Sequence, residues 1–187
     1  MLRHSAFIAF TVVSLAFSSC QSKKEKLTNE INAFLAKQEG TFAVAFKDLQ
    51  TGEEILIREH ESFHAASTMK TPVMIEVFKQ AAEGKFSLTD SILIKNEFKS
   101  IVDGSIFSLD SIEDSEHLLY KQLGKKKLLS DLVYDMIIVS SNLATNIIIE
   151  LVDAKNVMQT MRSYGAKDMQ VLRGVEDDKA YHQGLNN

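Results

Sequence analysis

Apolar positions along this chain change period several times, and each change marks an element. Leu27, Ile31, Phe34 and Leu35 recur at helical spacing and stop before Gly40. Phe42, Val44 and Phe46 alternate with Ala43 and Ala45, the two-residue period of a strand. Thr51-Gly52 marks a hairpin turn, and Ile55 and Ile57 continue the pattern on a return strand. Met69, Val73, Met74, Val77, Phe78 and Ala81 form a second helical stripe, closed by Gly84. Residues 87–115 are mixed and read as loops with short elements. Helices are predicted near 115–122, 128–139, 142–152 and 155–164, broken by Gly124, a turn at Ser140 and Gly165. Met169-Gln170-Val171-Leu172 leads into a polar loop over 173–187. Two strands followed by a run of helices predict a two-layer α/β (α+β) domain with an embedded helical lobe.

The first residues follow a different logic. Met1-Leu2-Arg3-His4 is a short basic start, and Ile8 to Phe17 is apolar apart from Thr11 and Ser14. That core is too short to span a membrane and reads as a secretory signal. Phe17-Ser18-Ser19-Cys20 places small residues before the only cysteine, an arrangement that resembles a bacterial lipobox, with Phe17 where leucine is usual. The alternative is an ordinary cleaved signal with an incidental cysteine. The expected organisation is a signal peptide over 1–19, a lipid-anchored tether over 20–26, and one domain over 27–187. An exported chain with a single cysteine forms no internal disulfide. A net charge of −4 with mixed signs argues against a nucleic-acid footprint.

Candidate chemistry begins at Ser67-Thr68-Met69-Lys70. Residues three apart on a helix share a face, so the Lys70 amine falls near the Ser67 hydroxyl. Serine is a weak nucleophile until a base takes its proton, and lysine serves when burial lowers its pKa. The spacing alone is weak evidence: eighteen serines and seventeen lysines give roughly 1.6 chance matches. The bland alternative makes Ser67 a helix cap and Lys70 a solvated first-turn residue. Pro72, the only proline, falls in the first turn or so of the proposed helix, where a missing N–H costs little. Ser140-Ser141-Asn142 is a second candidate, a polar step between two apolar helices. Buried polar groups need partners, although a capped helix–helix turn would use the same residues.

Together these motifs resemble the class A β-lactamases and their penicillin-binding relatives, whose signature set is S-x-x-K, S-D-N and K-T-G. The first motif stands as Ala65-Ala66-Ser67-Thr68-Met69-Lys70-Thr71-Pro72. The second lies within Met136-Ile137-Ile138-Val139-Ser140-Ser141-Asn142-Leu143-Ala144-Thr145-Asn146, with Ser141 in place of the usual aspartate. The resemblance runs from about Leu27 to Asn187. It implies a β-lactamase/transpeptidase-like fold, with a helical lobe inserted in an antiparallel sheet domain. No Lys-Thr-Gly or Lys-Ser-Gly is present. The chain is therefore expected to be partial, lacking C-terminal strands, with only the first two strands of the sheet present.

The resemblance also implies roles. Ser67 would attack the carbonyl, Lys70 would accept or relay its proton, and Ser140 would carry a proton to the leaving nitrogen. Asn142 would hold the acyl amide and touch Lys70, and Asn186 would position a water. The family's loop pattern Glu-x-x-Leu-Asn supplies the glutamate that activates this water. Here Leu185-Asn186 match its end and His182 stands at the glutamate position, while Glu176 and Asp177 lie upstream at the wrong spacing. Histidine titrates near neutral pH and could serve as the base, or it could be a surface loop residue. The implied function is a serine β-lactamase opening penicillins or cephalosporins through a Ser67 acyl-enzyme. The alternatives are a slowly deacylating penicillin-binding or peptidase-like protein, or an inactive remnant that only binds. No metal or cofactor is implied. Expected partners are a β-lactam or peptidoglycan-like small molecule and a membrane through the Cys20 anchor, with a monomeric chain in the periplasm or on the outer membrane. If Cys20 is lipidated, the wild type will fractionate with membranes and Cys20→Ala will stay soluble or uncleaved; a wild type that is soluble without detergent would rule the anchor out.

Overall fold

The computed structural model describes residues 22–187, so the leader and Cys20 lie outside the described residues. The chain divides at Ser62 and Phe63 into two units, which are described separately.

The first unit contains one helix and one hairpin. Helix α1, Lys23–Leu35, starts with a reciprocal cap. The Ser22 hydroxyl accepts from Glu25 N at 3.1 Å, and the Glu25 carboxylate accepts from Ser22 N at 2.9 Å. This satisfies two N–H groups that the first turn leaves free. No residue of α1 is buried, and Phe34 of the predicted stripe is exposed. A helical period identifies an apolar face but not what covers it. Strands β1, Val44–Lys47, and β2, Glu54–Ile57, pair antiparallel with Val44 opposite Ile57 and Lys47 opposite Glu54. The turn is locked by Asp48, whose carboxylate accepts from Gln50 N at 2.7 Å, and by Gly52, whose φ of 77° suits glycine. Ile55 and Ile57 are buried, as the alternation predicted.

The second unit is built around a central apolar helix. A 3₁₀ turn, Ala66–Met69, runs into α2, Lys70–Ala82. Short strands β3, Ser91–Leu93, β4, Phe98–Lys99, and β5, Ile106–Phe107, precede α3, His117–Tyr120. Strand β6, Lys126–Leu128, returns to pair with β3, and β4 pairs with β5. These two ladders are separate from the β1–β2 pair, and most of their strands are the short elements expected over 87–115. Lys126-Lys127-Leu128 has neither alternation nor β-branched residues, so only its partner strand reveals it as a strand. Helices α4, Leu129–Ile138, α5, Asn142–Val152, and α6, Ala154–Ser163, fall within a residue or so of their predicted ranges. The predicted polar loop contains one further helix, α7, Asp178–His182, capped by the Asp177 carboxylate.

Helix α5 is the core. Leu143, Ala144, Ile147, Ile148, Ile149 and Val152 are all buried on it. Val73 and Val77 of α2, Leu132 and Met136 of α4, and Val157 of α6 join the same cluster. One polar network crosses it. Glu76 on α2 is fully buried and accepts from Gln80 Nε2 at 2.7 Å and from Thr160 Oγ1 at 2.5 Å. Gln80 also donates to the carbonyl of Val152 at 2.8 Å, so α2, α5 and α6 are held in fixed register.

This burial contrast predicts a stability contrast. Ile148 is fully buried and Ile138 is 61% exposed. Ile148→Ala should cost about 2–5 kcal/mol by urea denaturation, and Ile138→Ala less than about 1 kcal/mol. Equal midpoints for the two variants would contradict this packing.

Candidate active site

The two sequence motifs meet at the start of α2. Ser67 lies in the 3₁₀ turn and is exposed, whereas Lys70, the first residue of α2, is only 2% exposed. Neither half of the bland alternative fits. No side chain caps the 3₁₀ turn or α2. The Ser67 hydroxyl instead lies 3.0 Å from the Ser140 hydroxyl, 73 residues away in sequence. The Lys70 amine donates to the Ser140 carbonyl at 2.6 Å, to the Ser140 hydroxyl at 3.0 Å and to Asn142 Oδ1 at 3.0 Å. An ammonium has three N–H bonds, and these three acceptors satisfy all of them. The path from Ser67 to Lys70 therefore runs through Ser140; among the described residues the two side chains of the first motif share no direct hydrogen bond.

Local backbone makes this convergence possible. Ser140 ends the α4 segment with a φ of 61°, a left-handed conformation that non-glycine residues rarely adopt. The turn directs both its carbonyl and its hydroxyl onto one nitrogen. Ser141 is fully buried and caps α5, accepting from Ala144 N at 3.2 Å. The capping role and the site role thus belong to adjacent residues of one turn. Burial pushes the Lys70 amine below its ordinary pKa, partly opposed by the negative charges of Asp114 and Glu176.

Asn142 extends the network to the late loop. Its Nδ2 donates to Glu176 Oε1 at 2.7 Å, so one amide bridges Lys70 and a carboxylate. Glu176 is half-buried and has a φ of 60°. Desolvation is the main effect raising its pKa; donation from Asn142 lowers it, and the Asp114 and Glu113 charges raise it again.

The loop that presents Glu176 is fastened at several points. Asn146, one turn beyond Asn142, accepts from Val175 N at 2.7 Å and donates to Val175 O at 3.0 Å. Gly174 lies so close that a Cβ there would fall 2.3 Å from Asn146 Oδ1. Arg173, almost fully buried, donates to the carbonyls of Leu185 at 2.9 Å and Gly174 at 2.9 Å. The Asn187 side chain accepts from Leu172 N at 2.8 Å, while its carbonyl accepts from Ala65 N at 3.1 Å, two residues before Ser67.

Ser67, Lys70, Ser140 and Asn142 are therefore brought together. His182 is not: it lies exposed at the end of α7, with its ring edge against Tyr181. Asn186 lies on the same loop, and its side-chain oxygen is buried without a hydrogen-bond partner. Glu176 was set aside because its spacing does not match the motif; the structure nevertheless holds its carboxylate on Asn142, across the chain. Asn146 carried a signal, its helical spacing from Asn142. Asn187 and Asp114 carried none. The cluster offers an exposed hydroxyl on a hydroxyl–amine proton path, and a carboxylate one amide away; these are the parts that acyl transfer and hydrolysis require.

Comparison with known proteins gives a consistent result. The family model described as "Beta-lactamase enzyme family" matches residues 26–187. The β-lactamases PSE-4 and CARB-3 of Pseudomonas aeruginosa are each 26% identical over 174 residues, covering 91% of this chain and 55% of theirs. The chain thus spans about half the length of these curated relatives. Among solved structures, a β-lactamase from Sphaerobacter thermophilus has a TM-score of 0.63 and 28% identity, covering 79% of this chain and 51% of that one. PBP-A has a TM-score of 0.67 and 23% identity, covering 86% and 56%. A β-lactamase from Xanthomonas campestris has a TM-score of 0.68 and 20% identity, covering 81% and 52%. The fold is that of the β-lactamase/transpeptidase type.

The contact at Gly174 is directly testable. Gly174→Ala should push Asn146 out of its paired hydrogen bonds and cost about 1–3 kcal/mol in a denaturant melt. A melt identical to the parent's would mean that the loop moves aside freely.

Proposed function

Because the chain belongs to the β-lactamase enzyme family, we propose that it is a serine hydrolase that opens β-lactams through a Ser67 acyl-enzyme. The observation that carries this reading is the single network joining Ser67, Ser140, Lys70, Asn142 and Glu176. In the proposed first step, Ser67 Oγ bonds to the lactam carbonyl carbon and its proton passes along Ser140 to Lys70. The carbonyl carbon–nitrogen bond then breaks, and Ser140 delivers a proton to the leaving nitrogen. The N–H of Ser67, near the N-terminus of α2, donates to the carbonyl oxygen as negative charge develops there. Lys70 must be neutral to accept a proton, and burial favours that form.

In the second step a water attacks the acyl carbon and releases Ser67. Glu176 is the proposed base, in place of His182, because its carboxylate is fixed on the amide that also holds Lys70. Asn186, with its unpartnered oxygen, is proposed to orient this water. A mutant of the structural relative PBP-A is described as an acyl-enzyme complex with penicillin G, which makes a penicillin the natural first probe here. With residues 1–19 read as a secretory signal and Cys20 as the lipid-bearing residue after it, the substrate is met outside the cytoplasm.

The test uses protein expressed from its complete coding sequence. A fluorescent penicillin should label Ser67, and Ser67→Ala should take no label. Glu176→Gln should still acylate but turn over about a hundred- to ten-thousandfold more slowly, with the adduct persisting in intact mass spectra. His182→Ala should stay within about twofold of the parent, since general-base loss would cost far more. The pH profile has a definite sign. Protonated Glu176 cannot accept a proton, and its pKa is raised, so deacylation should fail on the acid side at a pH above the ordinary carboxylate range. Label on Ser67→Ala, or parent-like turnover by Glu176→Gln, would overturn the assignment.

A further inference from the structure

The second motif lacks the carboxylate of its relatives, since Ser141 occupies that place, yet a carboxylate is present at the turn. Asp114 comes from the loop before α3, 27 residues upstream of Ser141, and is 1% exposed. Its Oδ2 accepts from Leu143 N at 2.8 Å, from Tyr120 OH at 3.0 Å and from Ser141 Oγ at 3.4 Å. Its Oδ1 accepts from Glu116 N at 3.0 Å. Leu143 N is one of the free N–H groups in the first turn of α5, where the helix dipole favours a negative charge. The middle of the Ser140-Ser141-Asn142 turn and the residue that follows it are therefore both held by Asp114. Ser141 lies against it directly, and Asn142 is followed by the N–H that it accepts from.

We infer that Asp114 is a positioning residue for the proposed acyl transfer: a carboxylate from a separate loop replaces the one missing from the motif and aims Ser140 and Asn142 at Lys70. The inference rests on the reading given under Proposed function. Three observations support it. A buried carboxylate without donors is costly, and Asp114 has four. Two of those donors, Glu116 N and Tyr120 OH, hold Asp114 on its own segment, and the other two, Ser141 Oγ and Leu143 N, tie it to the turn and the start of α5. Ser141, fully buried, lies beside the incoming carboxylate and donates to it. The charge has a second consequence. The charged groups facing Lys70 are Asp114 and Glu176; Ser67, Ser140 and Asn142 are neutral. The Asp114 charge is the larger of the two effects that hold the Lys70 pKa up against burial. It also raises the Glu176 carboxyl and, with burial, the Tyr120 phenol.

Asp114→Asn separates positioning from folding. It should lower the acylation rate constant by about ten- to a hundredfold while changing KM by less than about threefold, the pattern of a lost transition-state arrangement. With the negative charge removed, the Lys70 amine should lose its proton more easily. The rising limb of acylation against pH should therefore move to lower pH. The Lys70 pKa, read by NMR of labelled lysine in the ligand-free protein, should fall below the parent's. Asp114→Glu, which keeps the charge, should leave that pKa near the parent's. The double variant Asp114→Asn with Ser141→Asp returns the carboxylate to the motif and should recover at least tenfold of the lost rate. If Asp114→Asn does not fold, the double variant carries the test, and its failure to fold or to acylate overturns the inference. An unmoved Lys70 pKa in folded Asp114→Asn overturns it too. The NMR reading needs no substrate, so a parent that never acylates defeats the hydrolase reading while leaving the Asp114 result interpretable.

Discussion

A lysine amine that is almost completely buried imposes a strict requirement on its surroundings. Each N–H must find an acceptor, because an unpaired one inside a protein costs on the order of 1–3 kcal/mol, more if charged. Lys70 meets the requirement with two atoms of Ser140 and one of Asn142. Every other feature of the site depends on that. Ser140 must adopt a left-handed backbone to offer both atoms to one nitrogen, and α4 and α5 must stop and start on either side of it. The apolar packing of α5 against α2 then fixes the distance over which the amine reaches across. The lysine is held by the same contacts that make it chemically unusual, since the burial that demands partners also lowers its proton affinity.

Much of this was legible from residue types. The stripes of α2, α4, α5 and α6 are long and strongly periodic, and the structure places each within a residue or so of its expected range. The hairpin of β1 and β2 followed from alternation around Thr51-Gly52. Ser67, Lys70, Ser140 and Asn142 were found because they are local motifs, each readable in three or four letters. The parts that escaped are non-local. Asp114 sits in a mixed stretch and gains meaning only from a helix start 29 residues later. Strand β6 exists because β3 lies beside it. Asn187 is a terminal-looking polar residue until its carbonyl meets Ala65 N. Sequence patterns report the neighbours a residue has along the chain; these residues are defined by neighbours across it.

His182 occupies the glutamate place of Glu-x-x-Leu-Asn by spacing, but spacing along the chain does not by itself put a side chain against the network. Residues 178–182 coil into α7, with Asp177 as its cap, and His182 is exposed at its end. The Asp177 carboxylate is also held by Ser100 Oγ at 2.8 Å and Ile101 N at 2.9 Å, so the helix is anchored at its start. Glu176 sits just before the cap, with a φ of 60° that turns the chain at this point. The carboxylate that faces Asn142 and the helix that carries His182 are two results of the same bend.

The fastening of this loop has a consequence for how the protein could diverge. Glu176 is held from one side by Asn142 and from the preceding residue by Asn146, whereas Asn187 clips the far end to Leu172 and Ala65. The stretch between them is not slack: it holds α7, whose Ala180 is fully buried and whose Lys179 reaches Asp103 and Ser105. A change of length there would break these contacts, a cost well beyond that of closing a flexible loop. Descendants of this gene should therefore vary this segment by substitution at exposed positions such as Tyr181 and His182, and seldom by insertion or deletion.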